Sequence, residues 1–276
     1  EILGEVLQAV ADDELRRVMI FMPPRHGKSE EASRLFPGYY VSRYLDRFVG
    51  LASHTADLAT RLSGNARAYA RKCGVPILGD SFAKSHWETP FGGGMWAAGV
   101  GGSITGKGAH LGVIDDPVKN YADARSARVQ TGQRDWYSTT WRTRLEPGAA
   151  MVVIMTRWHE ADLAGHLLDI EREIGDPLLT EGWHIVRMEA VKSAVTYSIP
   201  DTCSLEFDPR AEGEALCPER YPVKVLNRIR AVSGPRTWGS LYQQNPSPDE
   251  GMIFRKSGLR FWHPPEWTTV PLVRIE

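Results

Sequence analysis

Six apolar runs of strand length, at 18–22, 48–52, 95–100, 111–114, 151–155 and 184–188, constrain the fold most, because several are continuous rather than alternating. A continuous run is buried on both faces, and such segments belong to parallel sheets covered on two sides. Helix-like stretches lie between some of them, at 30–44, 56–73, 123–134 and 160–174. The alternation predicts an α/β fold with a mainly parallel central sheet and helices on both faces. Right-handed crossovers then bring the strand C-termini to one edge, where open α/β sheets bind their ligands. From 176 to 218 the pattern gives way to polar, Gly- and Pro-containing sequence, and helical segments return at 223–232 and 235–244 as the tail of the same domain. The breaker-rich stretch 245–251 reads as a linker, which gives a domain at 1–245 and a linker with the start of something further at 246–276. The chain opens inside what reads as a helix without Met and closes inside what reads as a strand, so both ends are expected to be cuts.

Charge narrows the function classes. Lys and Arg number 33 against 34 Asp and Glu, a net charge of -1, so the standing positive field of a permanent nucleic-acid binder is missing. Any such contact has to be local, transient or shared among subunits. Apolar runs are strand-sized and no basic leader precedes one, which predicts neither a membrane span nor a signal peptide and a place in the cytoplasm. Cys73, Cys203 and Cys217 are too few and too scattered for a zinc site or a disulfide framework.

The first run enters Pro23-Pro24-Arg25-His26-Gly27-Lys28-Ser29 and then a helical stretch, the strand, loop and helix order of a phosphate-binding P-loop. Gly27 lets backbone approach a phosphate, Lys28 offers a point charge to β- and γ-phosphates, and Ser29 can ligate magnesium. Unsatisfied amides at the helix start can face the anion. The usual leading glycine is replaced by Met22. Gly-Lys-Ser before a helix is also an ordinary N-terminal turn, so the motif does not stand alone.

Downstream, Leu111-Gly112-Val113-Ile114-Asp115-Asp116-Pro117 is an apolar strand ending in two carboxylates, the form of a Walker B segment. Asp115 would hold magnesium and Asp116 would orient or deprotonate the water attacking a γ-phosphate. Asp before Pro also begins ordinary turns, but its order after Lys28 favours the catalytic reading. The shorter side chain of Asp116, where Glu is commoner, makes its role the less secure of the two. The run 151–155 ends in Thr156-Arg157-Trp158-His159, where Thr156 can sense a γ-phosphate while Trp158 and His159 suit packing and local hydrogen bonding.

These motifs, with Ala52-Ser53-His54-Thr55, Gly102-Ser103-Ile104-Thr105-Gly106-Lys107-Gly108 and Tyr242-Gln243-Gln244-Asn245-Pro246, resemble the ATPase domain of tailed-phage terminase large subunits. The Pro-Pro-Arg loop without a leading glycine is typical of that family. The resemblance implies a P-loop NTPase of the RecA-like, ASCE type with ATP and Mg2+ as ligands. The implied nucleotide-binding residues are Pro24, Arg25, His26, Gly27, Lys28, Ser29 and Thr156, with metal held by Ser29 and Asp115 and catalysis by Asp116, Lys107 and Arg25. It implies hydrolysis that drives double-stranded viral DNA into the procapsid, with portal protein and terminase small subunit as partners. The expected assembly is a homo-oligomeric ring, pentameric on the capsid, from a chain that can be monomeric in isolation, in the host cytoplasm with transient docking on the procapsid.

In the family a basic residue ahead of the Walker B strand acts as an arginine finger on the neighbour's ATP, and Lys107 takes that place here. Lys cannot fork across two oxygens as Arg does, a solvated loop lysine is the alternative, and Arg25 could supply charge within its own subunit. The resemblance further implies a ribonuclease-H-like nuclease after the linker, of which 272–276 would be the first strand, so nuclease activity is expected of the full-length protein and not of this stretch. Arg125, Arg128, Arg134, Arg142 and Arg144 are DNA-contact candidates or a solvated helix face, and Arg220-Tyr221 weak candidates for adenine. Two rivals are a helicase-like P-loop ATPase, which would need a second motor core or helicase motifs, and a silent scaffold, which would need eroded motifs.

Overall fold

The computed structural model describes residues 1–79, 83–102, 104, 106 and 108–247. Helix α1 (Ile2–Ala11) precedes β1 (Arg17–Phe21). After the loop that follows β1, a π-helical stretch, Glu30–Leu35, continues into α2 (Phe36–Arg43). Then come β2 (Phe48–Ser53), α3 (Ala56–Lys72), β3 (His86–Glu88), β4 (Gly94–Gly99), β5 (Ala109–Asp115), α4 (Tyr121–Arg125) and α5 (Ala127–Trp136). The chain goes on through β6 (Leu145–Met155), α6 (Leu163–Ile174), β7 (His184–Arg187), β8 (Ser204–Leu205) and α7 (Val223–Thr237).

The strands form one sheet in the order β3-β4-β2-β5-β6-β1-β7-β8. Among these pairs only β3–β4 is antiparallel. Consecutive residues of β1 serve two cores. Val18 and Ile20 pack with Leu7, Tyr40 and Leu62 from α1, α2 and α3, whereas Met19 and Phe21 pack with Trp136 and Leu167 from α5 and α6. That double burial is why the run is apolar without alternation. Strand β6 lies between β1 and β5, the inserted strand that marks the RecA-like, ASCE branch of P-loop NTPases. The three strands that carry the motifs are therefore neighbours, and their C-terminal ends share one edge.

Gly50 is needed at the sheet centre. It lies in register with Trp96 on β4, and a Cβ there would sit 2.3 Å from the indole, which is itself buried and donates Nε1–H to the Gly108 carbonyl at 2.9 Å. The tail packs a smaller cluster of Ala190, Ala215, Leu226 and Trp238. Helix α7 kinks at Gly234, whose φ of 74° no L-residue adopts easily, immediately ahead of Pro235.

Two features depart from the sequence-based expectation. The single helix expected over 123–134 is two, broken at Ser126, whose hydroxyl accepts from the Val129 amide and starts α5. Strands β3 and β8 have no counterpart among the apolar runs, being short edge-side pieces. The expected linker is described only as far as 247, and the strand expected over 272–276 lies outside the described residues.

Candidate nucleotide site

The chain leaves β1 through Met22 and turns at Arg25 and Gly27, both with left-handed backbone, φ 65° and 96°. Glycine meets that requirement without cost and Arg25 does so under strain. The turn delivers Lys28 beneath the ends of β5 and β6. Its buried ammonium donates to Thr156 Oγ1 at 2.9 Å and pairs with Asp116 Oδ2 at 2.9 Å. Thr156 then fixes Asp116 a second time, its amide donating to Oδ1 at 2.8 Å, while its hydroxyl donates to the Met22 carbonyl at 3.2 Å. Lys28, Asp116 and Thr156 thus lock three neighbouring strand ends together.

Asp116 also has left-handed backbone, φ 41°, a conformation that persists only where surroundings enforce it. Its amide donates to the Ile154 carbonyl at 2.8 Å. Its own carbonyl accepts from His54 Nδ1 at 3.2 Å, which sets the ring's tautomer because a carbonyl can only accept. His54 is not among the site residues expected from the sequence. Thr55, next to it, caps α3 by accepting from the Leu58 amide, so the Ser-His-Thr sequence ends a strand, braces Asp116 and begins a helix in three residues.

Ser29 donates to Asp115 Oδ1 at 2.9 Å. Asp115 is pushed up to about 7, chiefly by burial and then by the Asp116 charge, with Lys28 and the Ser33 and Ser29 hydroxyls opposing. Its register partner across β2 and β5 is Ser53, whose buried hydroxyl has no hydrogen-bond partner. A carboxylate and a hydroxyl in contact, beside an orphaned buried oxygen, are hard donors that suit Mg2+, which takes one or two protein ligands and completes its shell with water and phosphate oxygens. Among the described residues no group of three or more His, Cys, Asp and Glu could hold a metal alone, so phosphate would be needed to complete the shell.

A cavity of about 540 Å³ opens in front of these groups. Pro24, Arg25, Gly27, Lys28, Ser29, Asp116 and Thr156 all line it, so most of the expected residues come together there. Asp115 is buried behind the wall and meets it through the Ser29 hydroxyl. The His26 side chain is turned out of the lining. Its Nδ1 lies 2.8 Å from the Pro24 carbonyl and its ring stacks on Tyr221 at 4.6 Å between centroids. Lys107 lies outside the described residues. Trp158 lines the cavity rather than packing in the interior, and His159 accepts from the Ala161 amide at 3.0 Å in a local turn. Arg61, Lys119 and Arg220 add three cations to the wall; no short motif marks Arg61 or Lys119, and from the sequence Arg220 is, with Tyr221, only a weak candidate for adenine. Of the arginines considered for DNA, Arg142 pairs with Glu181, Arg134 donates to the Ala161 carbonyl and Arg125 donates to the Tyr121 hydroxyl.

Directly behind Thr156 the chain is fixed by charge. Arg157 and Asp162 form a fully buried pair at 2.9 Å, and Asp162 caps α6 by accepting from the Gly165 amide at 3.0 Å. Burial works against the guanidinium's charge, and the Asp162 carboxylate and Tyr197 hydroxyl more than offset it, leaving Arg157 above its ordinary value. The Arg157 amide donates to Gln244 Oε1 at 3.0 Å. Gln244 is wholly buried and left-handed, φ 52°. The Tyr-Gln-Gln-Asn-Pro motif is therefore joined to the strand end that carries Thr156.

The family model for the terminase large subunit, T4likevirus-type, N-terminal, matches residues 19–257. No curated protein matches. Among solved structures, the HK97 bacteriophage large terminase is similar at 14% identity and a TM-score of 0.48, over 86% of this chain and 48% of that one. The large terminase of a thermophilic bacteriophage, in complex with ATP-gamma-S, is similar at 14% identity and a TM-score of 0.38, over 58% of this chain and 39% of that one. The chain thus spans about half the length of the HK97 relative. With the family model running from the P-loop strand to past the kinked tail helix, the chain belongs to the terminase large subunits and corresponds to their N-terminal part.

Proposed function

We propose that this chain is a magnesium-dependent ATPase, the motor part of a terminase large subunit that drives double-stranded DNA into a procapsid. The observation that carries the reading is Lys28, held between Asp116 and Thr156 at the ends of adjacent strands, with Ser29 on Asp115 beside it. ATP phosphates would be held by Lys28, Arg25 and the loop amides, and Mg2+ by Ser29 and Asp115. The metal, when bound, supplies neutralisation of charge on the β- and γ-phosphates.

The chain's own part begins with Lys28. A phosphate oxygen competes for its ammonium and draws it from Asp116, which frees Oδ2 while the Thr156 amide still anchors Oδ1. A carboxylate anchored at one oxygen and free at the other can accept hydrogen from a water and orient it for in-line attack. Thr156 loses or gains its Lys28 contact with phosphate occupancy, and Arg157 and Gln244 carry that difference to the tail. Movement of the tail would advance DNA in a ring, pentameric on the portal, with the small subunit as a further partner and the host cytoplasm as the setting. The motor would occupy 1–245, with 246–276 leading to a nuclease domain.

The test is magnesium-dependent ATP hydrolysis across a wide protein concentration range. Lys28→Ala and Asp116→Asn are each expected to lower the rate about 10²- to 10⁴-fold. A rate that climbs with concentration and falls in Lys107→Ala assigns the missing cation to a neighbour. Undiminished hydrolysis in Lys28→Ala overturns the enzyme reading.

A further inference from the structure

The cavity in front of Lys28 carries more positive charge than the phosphate loop alone explains. Arg220 is the most distant contributor in sequence, coming from the turn just before α7. That turn is fixed by its backbone, since the amides of Arg220 and Tyr221 both donate to the Cys217 carbonyl, at 3.2 and 2.7 Å. Its docking onto the phosphate loop is fixed by a ring pair. Tyr221 stacks on His26 with 4.6 Å between centroids and 23° between planes, and the Arg220 guanidinium lies 5.5 Å from the Tyr221 ring centroid.

Burial lowers the His26 pKa, the hydrogen bond with the Pro24 carbonyl opposes that, and the charges of Arg220 and Lys28 add to the lowering. Stacked rings attract beyond the area they bury, which seats Tyr221 on the phosphate loop. Arg220 is exposed and has no carboxylate partner among the described residues. An exposed arginine at that cavity wall, without an acid of its own, is met only by solvent and is open to an anion bound at Lys28. Its planar fork matches phosphate as well as carboxylate oxygens, and the phosphate loop beside it is what points to phosphate.

We infer that Arg220 contacts the phosphates of ATP bound in its own subunit and that Tyr221, stacked on His26, is the residue that positions it. The inference rests on the reading of the Lys28 cavity as the ATP site. It makes the tail, through the turn ahead of α7, a direct reader of nucleotide occupancy, separate from the route through Thr156 and Gln244.

The experiment is titration of Mg2+-ATP into the intact chain and its variants, followed by calorimetry, with thermal unfolding of each variant as a control for folding. A lost charge-assisted bond to phosphate corresponds to roughly ten- to a hundredfold weaker binding, which is the effect expected for Arg220→Ala. Arg220→Lys should recover part of it. Tyr221→Ala should weaken binding to a similar extent, Tyr221→Phe should restore most of the loss, and the Arg220→Ala, Tyr221→Ala double variant should be no worse than the single ones. ATP affinity unchanged in Arg220→Ala overturns the inference, including where that variant weakens only binding to duplex DNA. If Lys28→Ala also leaves ATP affinity unchanged, the reading of the whole site fails. If Lys28→Ala weakens binding and Arg220→Ala does not, only the assignment of Arg220 fails.

Discussion

Asp115 offers a quantitative test of the site, because the fold holds a carboxyl where its charge is costly. Burial and the Asp116 charge raise it from an ordinary 3.8 to about 7. The folded chain therefore binds this proton more tightly than the unfolded chain, and stability falls as pH rises between those two values, levelling off above about 7. At roughly 1.4 kcal/mol per unit, the full cost is on the order of 4 kcal/mol, about 3 of it between pH 5 and 8. Asp115→Asn keeps the shape and an acceptor for the Ser29 hydroxyl but cannot ionise. Urea unfolding of both proteins without nucleotide or metal, at several pH values, reads the Asp115 proton together with its coupling to Asp116 and Lys28, while titrating groups remote from it cancel in the difference. The variant should gain on the parent by about 3 kcal/mol from pH 5 to pH 8. On the proposed reading, Mg2+-ATP should stabilise the parent and not the variant. A difference between the two proteins that stays flat across that range would refute the reasoning, since Asp115 would then carry no desolvation cost for binding to relieve.

Two further outcomes follow from packing. Asp162→Ala strands a buried Arg157 guanidinium and uncaps α6, so it should cost about 3–5 kcal/mol for the charge and about 1 more for the cap. Asp162→Asn keeps the cap acceptor and should be the milder by about that last amount, read from denaturant midpoints; a cost under about 1 kcal/mol for the Ala variant contradicts a buried pair. Gly50→Ala forces the Trp96 indole off its seat and should destabilise by about 1–3 kcal/mol, with the near-ultraviolet tryptophan signal changed in the folded state; an unaltered melt and spectrum would mean that the two strands tolerate the extra carbon.

What could be read from the sequence were features with a local cause. Continuous apolar runs betray burial on two faces, and each of β1, β2, β4, β5, β6 and β7 overlaps a run read in that way. Gly234-Pro235 announces the kink in α7 that separates the two helical segments expected there. Lys28, Ser29, Asp115, Asp116 and Thr156 were legible for the same reason, each sitting at or just past the end of a strand whose pattern marks the edge. Strand order was not legible from runs alone. Nothing in 145–155 says that it enters between β1 and β5, since parallel pairing is decided by crossovers. Nor could Arg61 or Lys119 be found by pattern, while His54 stands in a family motif with no role attached and Arg220 reads, with Tyr221, only as a weak candidate for adenine. Each is one polar residue in ordinary surroundings, made part of the site by the packing of elements remote in sequence.

The division has a physical basis that bears on the proposed motor function. Groups that must meet phosphate in every state belong on rigid strand ends, and a short motif there can specify them. Groups that must sense a change of state have to come from elements able to move relative to the sheet. Gln244 reaches Arg157 from beyond the π-helical turn at Trp238–Tyr242, and Arg220 reaches the cavity from the turn ahead of α7. Both belong to the tail, and they grip opposite ends of one line that runs from the phosphate loop through Lys28 and Thr156 to Arg157. On the proposed reading, a phosphate at Lys28 would act on the two attachments differently, drawing Arg220 through charge and releasing the hydrogen bond to Thr156. A difference in affinity between two arrangements of the tail is the thermodynamic condition for nucleotide to move it, and on that reading these two contacts, far apart in sequence, are where the difference would arise.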